Sequence, residues 1–316
     1  MHKILVVPSI RESSIKSFLD AWKTVGDWDE VILVEDNPNP TFDVEGVHHF
    51  SWKDIESSLG KDQWVISRRD SAIRSFGFLK AYAMGADYIL TLDDDCYPYD
   101  DKPIFKSHID RMLDAPKWVE SIPGMRTRGL PYLNKGKMTT VVANMGLWSK
   151  IPDLDSVQSL NDLEAATGGN FIPPTGSRII PAGQYFPLCG MNFAFSRSVT
   201  PLAYFPLMGM NSPYGRFDDI WFGVIFKKII DHLGLHVSVG DPFVEHQRAS
   251  NIMVNLVKEA PGIAVNEWFW NKIDAVKLVS TTPVSCMKEI GVAIQDDDHE
   301  YISRLGQAIC VWSSLF

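Results

Sequence analysis

The sequence predicts an α/β protein with one main domain on a mostly parallel central sheet, and a helical extension at the C-terminal end. Three features predict this fold. Two short β-branched strands, residues 4–7 and 31–34, flank a helical pattern. A third strand, residues 88–92, follows a second helical pattern and ends in three aspartates. Beyond residue 260 the apolar residues are spaced as in helices. We therefore place the main domain at 1–260 and the extension, packed on its core, at 261–316.

Composition excludes several classes of protein. A chain of 316 residues with 45% hydrophobic and 22% charged residues lies in the globular range. Its net charge of −9 argues against a nucleic-acid-binding protein, although nucleic acid stays open as an acceptor molecule. No apolar run reaches the roughly 20 residues of a membrane span. The four cysteines are Cys96, Cys189, Cys286 and Cys310, and they form no CxxC pair. This spacing disfavours a zinc cage or a disulfide framework, and the reduced thiols that it implies indicate a cytoplasmic protein.

The first strand, helix and second strand form a βαβ unit. Pro8 closes the first strand because it cannot donate to the ladder, and Glu35 and Asp36 follow the second. Parallel strands of such units open at their carboxyl ends onto one crevice. We therefore expect Pro8, Ile10, Arg11 and Asp36 to line a ligand site. The Asp36 carboxylate can accept a hydrogen bond from a base N–H or a ribose hydroxyl.

Arginines cluster at the start of the next helix, which is predicted over residues 67–85 with Gly85 as its stop. They are Arg68, Arg69 and Arg74, with Asp70 between them. Guanidinium groups there would pair with a diphosphate or with nearby carboxylates, whereas any single one is commonly a solvated helix end. We predict that Arg69, Asp70 and Arg74 bind substrate.

Three consecutive carboxylates, Asp93 to Asp95, follow the strand at 88–92. Burying one carboxylate costs several kcal/mol, so three together indicate a shared cation, although acidic triplets are also common in solvated turns. Hard divalent ions take oxygen ligands and phosphates. Asp93 and Asp95 are therefore predicted ligands of Mg²⁺ or Mn²⁺, and Asp94 touches a ribose or orders the loop. A second triplet at 296–298 is explained by a helix N-terminus.

The order of these motifs resembles that of nucleotide-sugar glycosyltransferases of the GT-A type. Residues 72–77, 85–88 and 93–95 match their Arg-Gly, Gly-Asp-Tyr and Asp-x-Asp progression. The second half resembles the reversibly glycosylated polypeptide family, which includes UDP-arabinopyranose mutases, so that the likeness covers about residues 4 to 258. The segments that carry it are 128–132, 146–148, 187–195, 215–221 and 245–251.

This resemblance implies a GT-A-like, Rossmann-type fold and a metal-dependent enzyme acting on a UDP-sugar, with UDP-arabinose as the first candidate. His246 resembles the histidine that completes the metal shell. Arg128 matches the arginine that carries the transient sugar, or else it only neutralises the diphosphate. A guanidinium has no free lone pair, so a carrier role needs a carboxylate that removes a proton, and Asp218 or Asp219 is the candidate.

The sugar pocket is expected around the Cys-Gly-Met-Asn segment. Gly190 lets backbone approach the ligand, and Asn192 can both donate to and accept from hydroxyls. Trp221 or Trp148 could stack on the sugar face, although tryptophan is also a favoured core residue. The alternative for the whole segment is a tight turn that fills the core.

Three functions remain open from the sequence. The first is a mutase that interconverts the pyranose and furanose forms of UDP-arabinose. The second is a glycosyltransferase that passes a pentose or hexose to a polymer, a small molecule or modified DNA, and the third is a non-catalytic UDP-sugar-binding subunit. Family members carry Arg-Glu-Gly where this chain has residues 134–136, Asn-Lys-Gly, which keeps the transferase open. The helical extension is a possible contact in a homo-oligomer.

Overall fold

The computed structural model describes residues 1–119, 128–210, 212–247 and 250–316. A central sheet with helices packed against it confirms the predicted α/β class. The strands are β1 (Lys3–Pro8), β2 (Glu30–Val34), β3 (His48–Phe50), β4 (Tyr88–Leu92), β5 (Cys96–Pro98), β6 (Val141–Lys150), β7 (Arg178–Ile179), β8 (Asn192–Ser196) and β9 (His236–His246). The helices are α1 (Glu12–Ala21), α2 (Trp52–Leu59), α3 (Arg74–Ala83), α4 (Ile104–Leu113), α5 (Ser156–Asn161), α6 (Leu163–Thr167), α7 (Asp218–His232), α8 (Ile252–Asp274), α9 (Pro283–Ile294) and α10 (Glu300–Ser313).

The sheet has the strand order β3-β2-β1-β4-β8-β6-β9-β5, with β7 paired to β9. The first four strands in this order run parallel, as the βαβ pattern predicts. Strand β8 is antiparallel to both β4 and β6, strand β9 is parallel to β6, and β5 and β7 are antiparallel to β9. The carboxyl ends of β1, β2 and β4 therefore lie together at one edge of the sheet.

Helix α3 packs closely on β1 and β2 because of a glycine. A Cβ atom at Gly77 would lie 2.4 Å from Cγ1 of Val6, so only glycine permits this approach. The helix begins later than predicted. Asp70 accepts a hydrogen bond from the backbone N–H of Ala72 and caps a short 3₁₀ turn at Ser71–Ile73, after which α3 starts at Arg74. This start places Arg74 at the strand ends.

The C-terminal part is helical, as predicted, and α8 runs through residue 260 without a break. Trp221 of α7 stacks on Phe269 of α8 with ring centroids 4.8 Å apart, and it also contacts Tyr301 of α10. The division at residue 260 stays a prediction. Among the described helices, none combines the length and the apolar character needed to cross a membrane.

Candidate functional site

Two neighbouring cavities open where the parallel strands end. The larger, of about 440 Å³, contains Arg11, Arg69 and Arg74 in its lining, and we call it the arginine cavity. The smaller, of about 270 Å³, is lined by several carboxyl groups, and we call it the acidic cavity. Ser71, Arg74 and Asp93 line both, so the two spaces meet at these residues.

The arginine cavity contains most of the residues that the sequence analysis placed in a nucleotide site. The predicted residues at the strand ends and those in the arginine cluster line the same cavity, as the βαβ topology predicts. They are Pro8, Ile10, Arg11, Asp36, Arg69, Asp70, Arg74, Asp93, Asp94 and Asp95.

Asp36 and Arg69 are held in place by Trp52. The indole Nε1 donates to Oδ1 of Asp36 at 2.7 Å, and the backbone N–H of Asp70 donates to Oδ2 at 2.9 Å. The Arg69 guanidinium lies over the Trp52 ring, 5.0 Å from its centroid, and its backbone has a positive φ of 61°. A non-glycine residue in this conformation indicates a locally strained and specified position.

Asp94 orders the loop after β1. Its side chain is buried and accepts hydrogen bonds from the Ser9 hydroxyl and from the Arg11 guanidinium, whose Nε lies 3.1 Å from Oδ2. A charge-assisted pair of this kind fixes the direction of both side chains. Of the two roles expected for Asp94, the geometry favours loop ordering.

Arg74 is a buried cation between the two cavities. Its Nη2 donates to Oδ1 of Asp93, while Nη1 donates to Thr91 Oγ1 at 2.9 Å and to the carbonyl oxygen of Gly190. Burial opposes the charged form, but Asp93 and the acids at the start of α7 outweigh it and raise the pKa of Arg74. The guanidinium therefore stays charged at the point where the cavities meet.

His246 approaches Asp95 because β5 and β9 pair Cys96 with His246. Its Nε2 lies 3.9 Å from Oδ1 of Asp95, and its Nδ1 lies 2.9 Å from the carbonyl oxygen of Ile151. A carbonyl only accepts, so Nδ1 carries a hydrogen and Nε2 is the ring nitrogen that faces the carboxylate. Burial raises the pKa of Asp95, and the charge of Asp93 adds to this effect.

Two of the three predicted metal ligands face each other at this corner. The Asp95 carboxylate and the Nε2 of His246 approach each other, and the second ring nitrogen bonds to a backbone carbonyl, as in many metal-ligating histidines. Asp93 is held by Arg74 and is partly exposed. Within the described part of the chain, however, the ligand atoms found within 4.8 Å of one another belong to a different group, Asp153, Cys189 and Asp219.

That second group lies in the acidic cavity. Cys189 Sγ donates to Oδ2 of Asp153 at 2.7 Å. Asp153 follows β6 in an Ile-Pro-Asp segment that carries no motif, so no role was predicted for it. Cys189 lay inside the Cys-Gly-Met-Asn segment, but only its neighbours were given a role.

Asp218 and Asp219 also reach the acidic cavity from the start of α7. Asp218 is buried and accepts from the Ser71 hydroxyl at 2.8 Å, and Asp219 accepts from the backbone N–H of Gly190 at 3.4 Å. Burial raises the pKa of Asp218. Burial and the neighbouring Asp218 raise the pKa of Asp219 well above its usual range.

Arg128 lies apart from these groups. It is exposed in a turn with Gly129, directly after residues 120–127, which lie outside the described part of the chain. Among the described lining residues of the two cavities, Arg128 is absent. The role of Arg128 together with the acids of α7 stays a prediction.

Two predicted sugar-binding residues belong to the core instead. Asn192 is fully buried in β8, and its amide group bonds to His108 and to the carbonyl oxygens of Leu147 and Pro242. Its polar atoms are satisfied there, as buried polar groups require. Trp221 is also fully buried, with Nε1 donating to Asn266 at 2.9 Å. Gly190 and Trp148 line the acidic cavity, as expected for a sugar pocket.

Comparison with known proteins agrees with the resemblance. The sequence matches the family described as reversibly glycosylated polypeptide over residues 2–115 and 123–316. It is 33% identical to UDP-arabinopyranose mutase 1 of Arabidopsis thaliana, over 98% of this chain and 90% of that protein. It is 34% identical to a probable UDP-arabinopyranose mutase 1 of Solanum tuberosum, over 98% of this chain and 88% of that protein.

Among solved structures, a mycobacterial protein is similar with a TM-score of 0.41 and 15% identity, over 86% of this chain and 72% of that chain. That similarity is too low to support a shared function. The family match and the plant relatives extend over nearly the whole sequence. The chain therefore belongs to the reversibly glycosylated polypeptide family.

Proposed function

We propose that this chain is a metal-dependent UDP-sugar mutase of GT-A-like fold that interconverts UDP-arabinopyranose and UDP-arabinofuranose. The observation that carries the proposal is the pair of cavities joined at Arg74, one rich in arginine and one rich in carboxyl groups. A nucleoside diphosphate sugar has the matching division into an anionic part and a neutral, hydroxyl-rich part. The names of the plant relatives support arabinose as the sugar.

The arginine cavity would hold the UDP moiety. Arg11, Arg69 and Arg74 present guanidinium groups, which suit diphosphate oxygens because of their planar fork of donors. Asp36 is fixed by Trp52 and by the backbone of Asp70, and each of its oxygens keeps a further lone pair for a base N–H or ribose hydroxyl.

The cation would be Mn²⁺ or Mg²⁺, held by Asp95 and His246 with Asp93 beside them. When bound, such an ion stabilises negative charge on a leaving diphosphate. The chain's own contribution is to orient the donors, since Ile151 fixes the His246 tautomer and Arg11 lies 3.3 Å from Oδ2 of Asp95.

The acidic cavity would hold the sugar. Carboxyl groups accept hydrogen bonds from hydroxyls, and their negative potential favours the positive charge that develops at C1 when the diphosphate departs. Trp148 offers an aromatic face in the same lining. Arg128 as carrier of the transient sugar stays a prediction, as does the cytoplasmic location.

The experiment is conversion of the sugar itself. Purified protein is incubated with UDP-arabinofuranose and Mn²⁺, and UDP-arabinopyranose is measured by chromatography, with Asp95→Ala as the inactive variant. Asp298→Ala is the matched control, because Asp298 is an exposed acid in the second triplet and lines neither cavity. UDP release only on addition of an acceptor would show a glycosyltransferase instead. Tight UDP binding without either reaction would show a non-catalytic subunit.

A further inference from the structure

Three ionisable side chains meet on one wall of the acidic cavity. One atom each of Asp153, Cys189 and Asp219 lies within 4.8 Å of the others. The Cys189 thiol already donates to Asp153, and the backbone N–H of the next residue, Gly190, donates to Asp219. The thiol is buried, whereas both carboxyl groups are partly exposed. A ligand in the cavity can therefore touch the two acids with the thiol behind them.

The two acids differ in their surroundings. Burial and the neighbouring Asp218 raise the pKa of Asp219, which favours a neutral carboxyl group there. Burial, together with Asp153 and Asp219, raises the pKa of Cys189, so the thiol is protonated before the reaction begins. Asp153 accepts the hydrogen bond of that thiol, as a carboxylate does. One wall thus presents a proton donor and a proton acceptor.

The other acids in the cavity have partners of their own. Asp93 bonds to Arg74, and Asp218 bonds to Ser71. Two further carboxyl groups take part in helix contacts: Asp155 caps α5 through the N–H of Gln158, and Glu259 accepts from Arg216 and from the N–H of Ser156. This leaves Asp153 and Asp219 as the pair that faces the cavity.

Exchange between pyranose and furanose rings needs a proton transfer at two sugar oxygens. As the C1–O5 bond breaks, its electron pair goes to O5, which takes up a proton. As a lone pair of O4 forms the new C1–O4 bond, O4 releases a proton. The sum consumes no proton and no electron, so an acid and a base held a few ångströms apart suffice.

We propose that Asp219 gives the proton to O5 and Asp153 takes the proton from O4 when the pyranose ring opens, and that the roles reverse in the other direction. Cys189 restores the pair by passing its proton to Asp219 and taking one from Asp153. The proposal rests on the mutase function proposed above. It adds Asp153 to the residues that act on the sugar, and Cys189 as a residue that acts through the two acids.

The test separates proton transfer from nucleotide binding. In Asp153→Asn and Asp219→Asn, kcat for UDP-arabinofuranose conversion should fall by about 100-fold or more, because each substitution removes one proton-transfer group. Affinity for UDP with Mn²⁺, measured by calorimetry, should change less than about twofold, since the arginine cavity is untouched. Asp153→Glu should recover part of kcat with a shifted pH profile.

Substitutions of Cys189 test the relay role of the thiol, and a control variant tests whether the effect is specific. Cys189→Ser keeps a donor to Asp153 and should retain most of kcat, whereas Cys189→Ala should lower it about tenfold. Asp162→Asn is the matched control, since Asp162 only caps α6 through Ala165 and asparagine caps equally well. Thermal unfolding of each variant shows whether it is folded.

The results that would contradict this proposal differ from those that would contradict the mutase function. A wild-type protein that converts the sugar, with an Asp153→Asn variant of unchanged kcat and pH profile, would overturn the proton-transfer role and leave the mutase function intact. Parallel loss of kcat and UDP affinity in that variant would show a nucleotide or cation ligand instead. A wild-type protein that binds UDP without converting the sugar would overturn both proposals.

Discussion

The two cavities are built in different ways. The arginine cavity is formed by the loops that follow β1, β2 and β4 and by the segment 69–74 that leads into α3, so its lining comes from the first 95 residues. The acidic cavity combines residues near positions 71–93, 145–158, 186–191, 205–220 and 259. Each contains an arginine with positive φ, Arg69 at 61° and Arg216 at 65°. A site at the ends of parallel strands follows from the topology, whereas a site between distant segments depends on how they pack.

The largest expected effect of a substitution is on nucleotide binding in the arginine cavity. Asp95→Ala should weaken Mn²⁺-dependent UDP binding by at least about 100-fold, because it removes the carboxylate that faces His246. Asp93→Ala should act in the same direction, and Arg128→Ala should leave binding nearly unchanged, since Arg128 lines neither cavity. Calorimetric titration of UDP with and without Mn²⁺ measures each. Equal losses in all three variants would show that Arg128 clamps phosphate.

Arg74 belongs to both cavities, so its removal should damage both. Arg74→Met leaves Asp93, Thr91 and the Gly190 carbonyl without their buried donor, and breaking such a pair costs about 3–5 kcal/mol. Urea denaturation should show this loss. Arg111→Met is the control, because the exposed Arg111–Asp241 pair should contribute at most about 1 kcal/mol. Similar stability of both variants would contradict the central role of Arg74.

Substitution of two tryptophans distinguishes a core residue from a residue that lines the cavity. Trp221→Ala should lower the free energy of unfolding by about 3–5 kcal/mol, because it leaves a hole beside Phe217 and Phe269. Trp148→Ala should cost less stability and should mainly raise KM, since Trp148 lines the acidic cavity. Denaturation and steady-state kinetics of both variants check this. The reverse pattern would return the sugar-binding role to Trp221.

The same contrast explains what could be predicted from the sequence. Asp36 and Asp93 to Asp95 follow apolar strands, and parallel pairing brings such strand ends together whatever the rest of the chain does. The grouping of these residues with Arg11 and Arg74 was therefore predictable. The late start of α3 was not, because it depends on the side chain of Asp70 capping a 3₁₀ turn.

The acidic cavity was harder to predict for a physical reason. Asn192 stands in the motif that suggests a sugar pocket, but it begins the buried strand β8 and its amide group bonds to His108, Leu147 and Pro242 in the core. Gly190 lies in the turn before β8 and lines the cavity. Asp153 carries no local signal, since its position beside Cys189 arises only when the segment after β6 packs near the segment before β8. Motifs identify segments, and packing decides which face of each segment reaches the ligand.

The core beneath the acidic cavity should lose stability at low pH. Under β6, β8 and β9, the buried His108 accepts from Asn144 Nδ2 through Nδ1 at 2.8 Å and lies 2.9 Å from Asn192 Oδ1 through Nε2. Asn192 donates both its amide hydrogens to carbonyls, so its Oδ1 accepts from His108 and the ring is neutral. Protonation at Nδ1 would set two donors against each other. Burial lowers the pKa of His108 to about 4.

Because the folded pKa lies below the unfolded value of 6.5, the unfolded chain binds the proton more readily between these values. His108 therefore contributes its full stability above pH 6.5 and loses it as the pH falls toward 4, by about 3 kcal/mol in all. Urea denaturation from pH 7 to pH 4 should show this loss in the wild type. His108→Gln offers one donor and one acceptor without titrating, so it should be less stable at pH 7 and should lose about 3 kcal/mol less on acidification. A pH dependence equal to that of the wild type would mean that the acid sensitivity arises at groups other than His108.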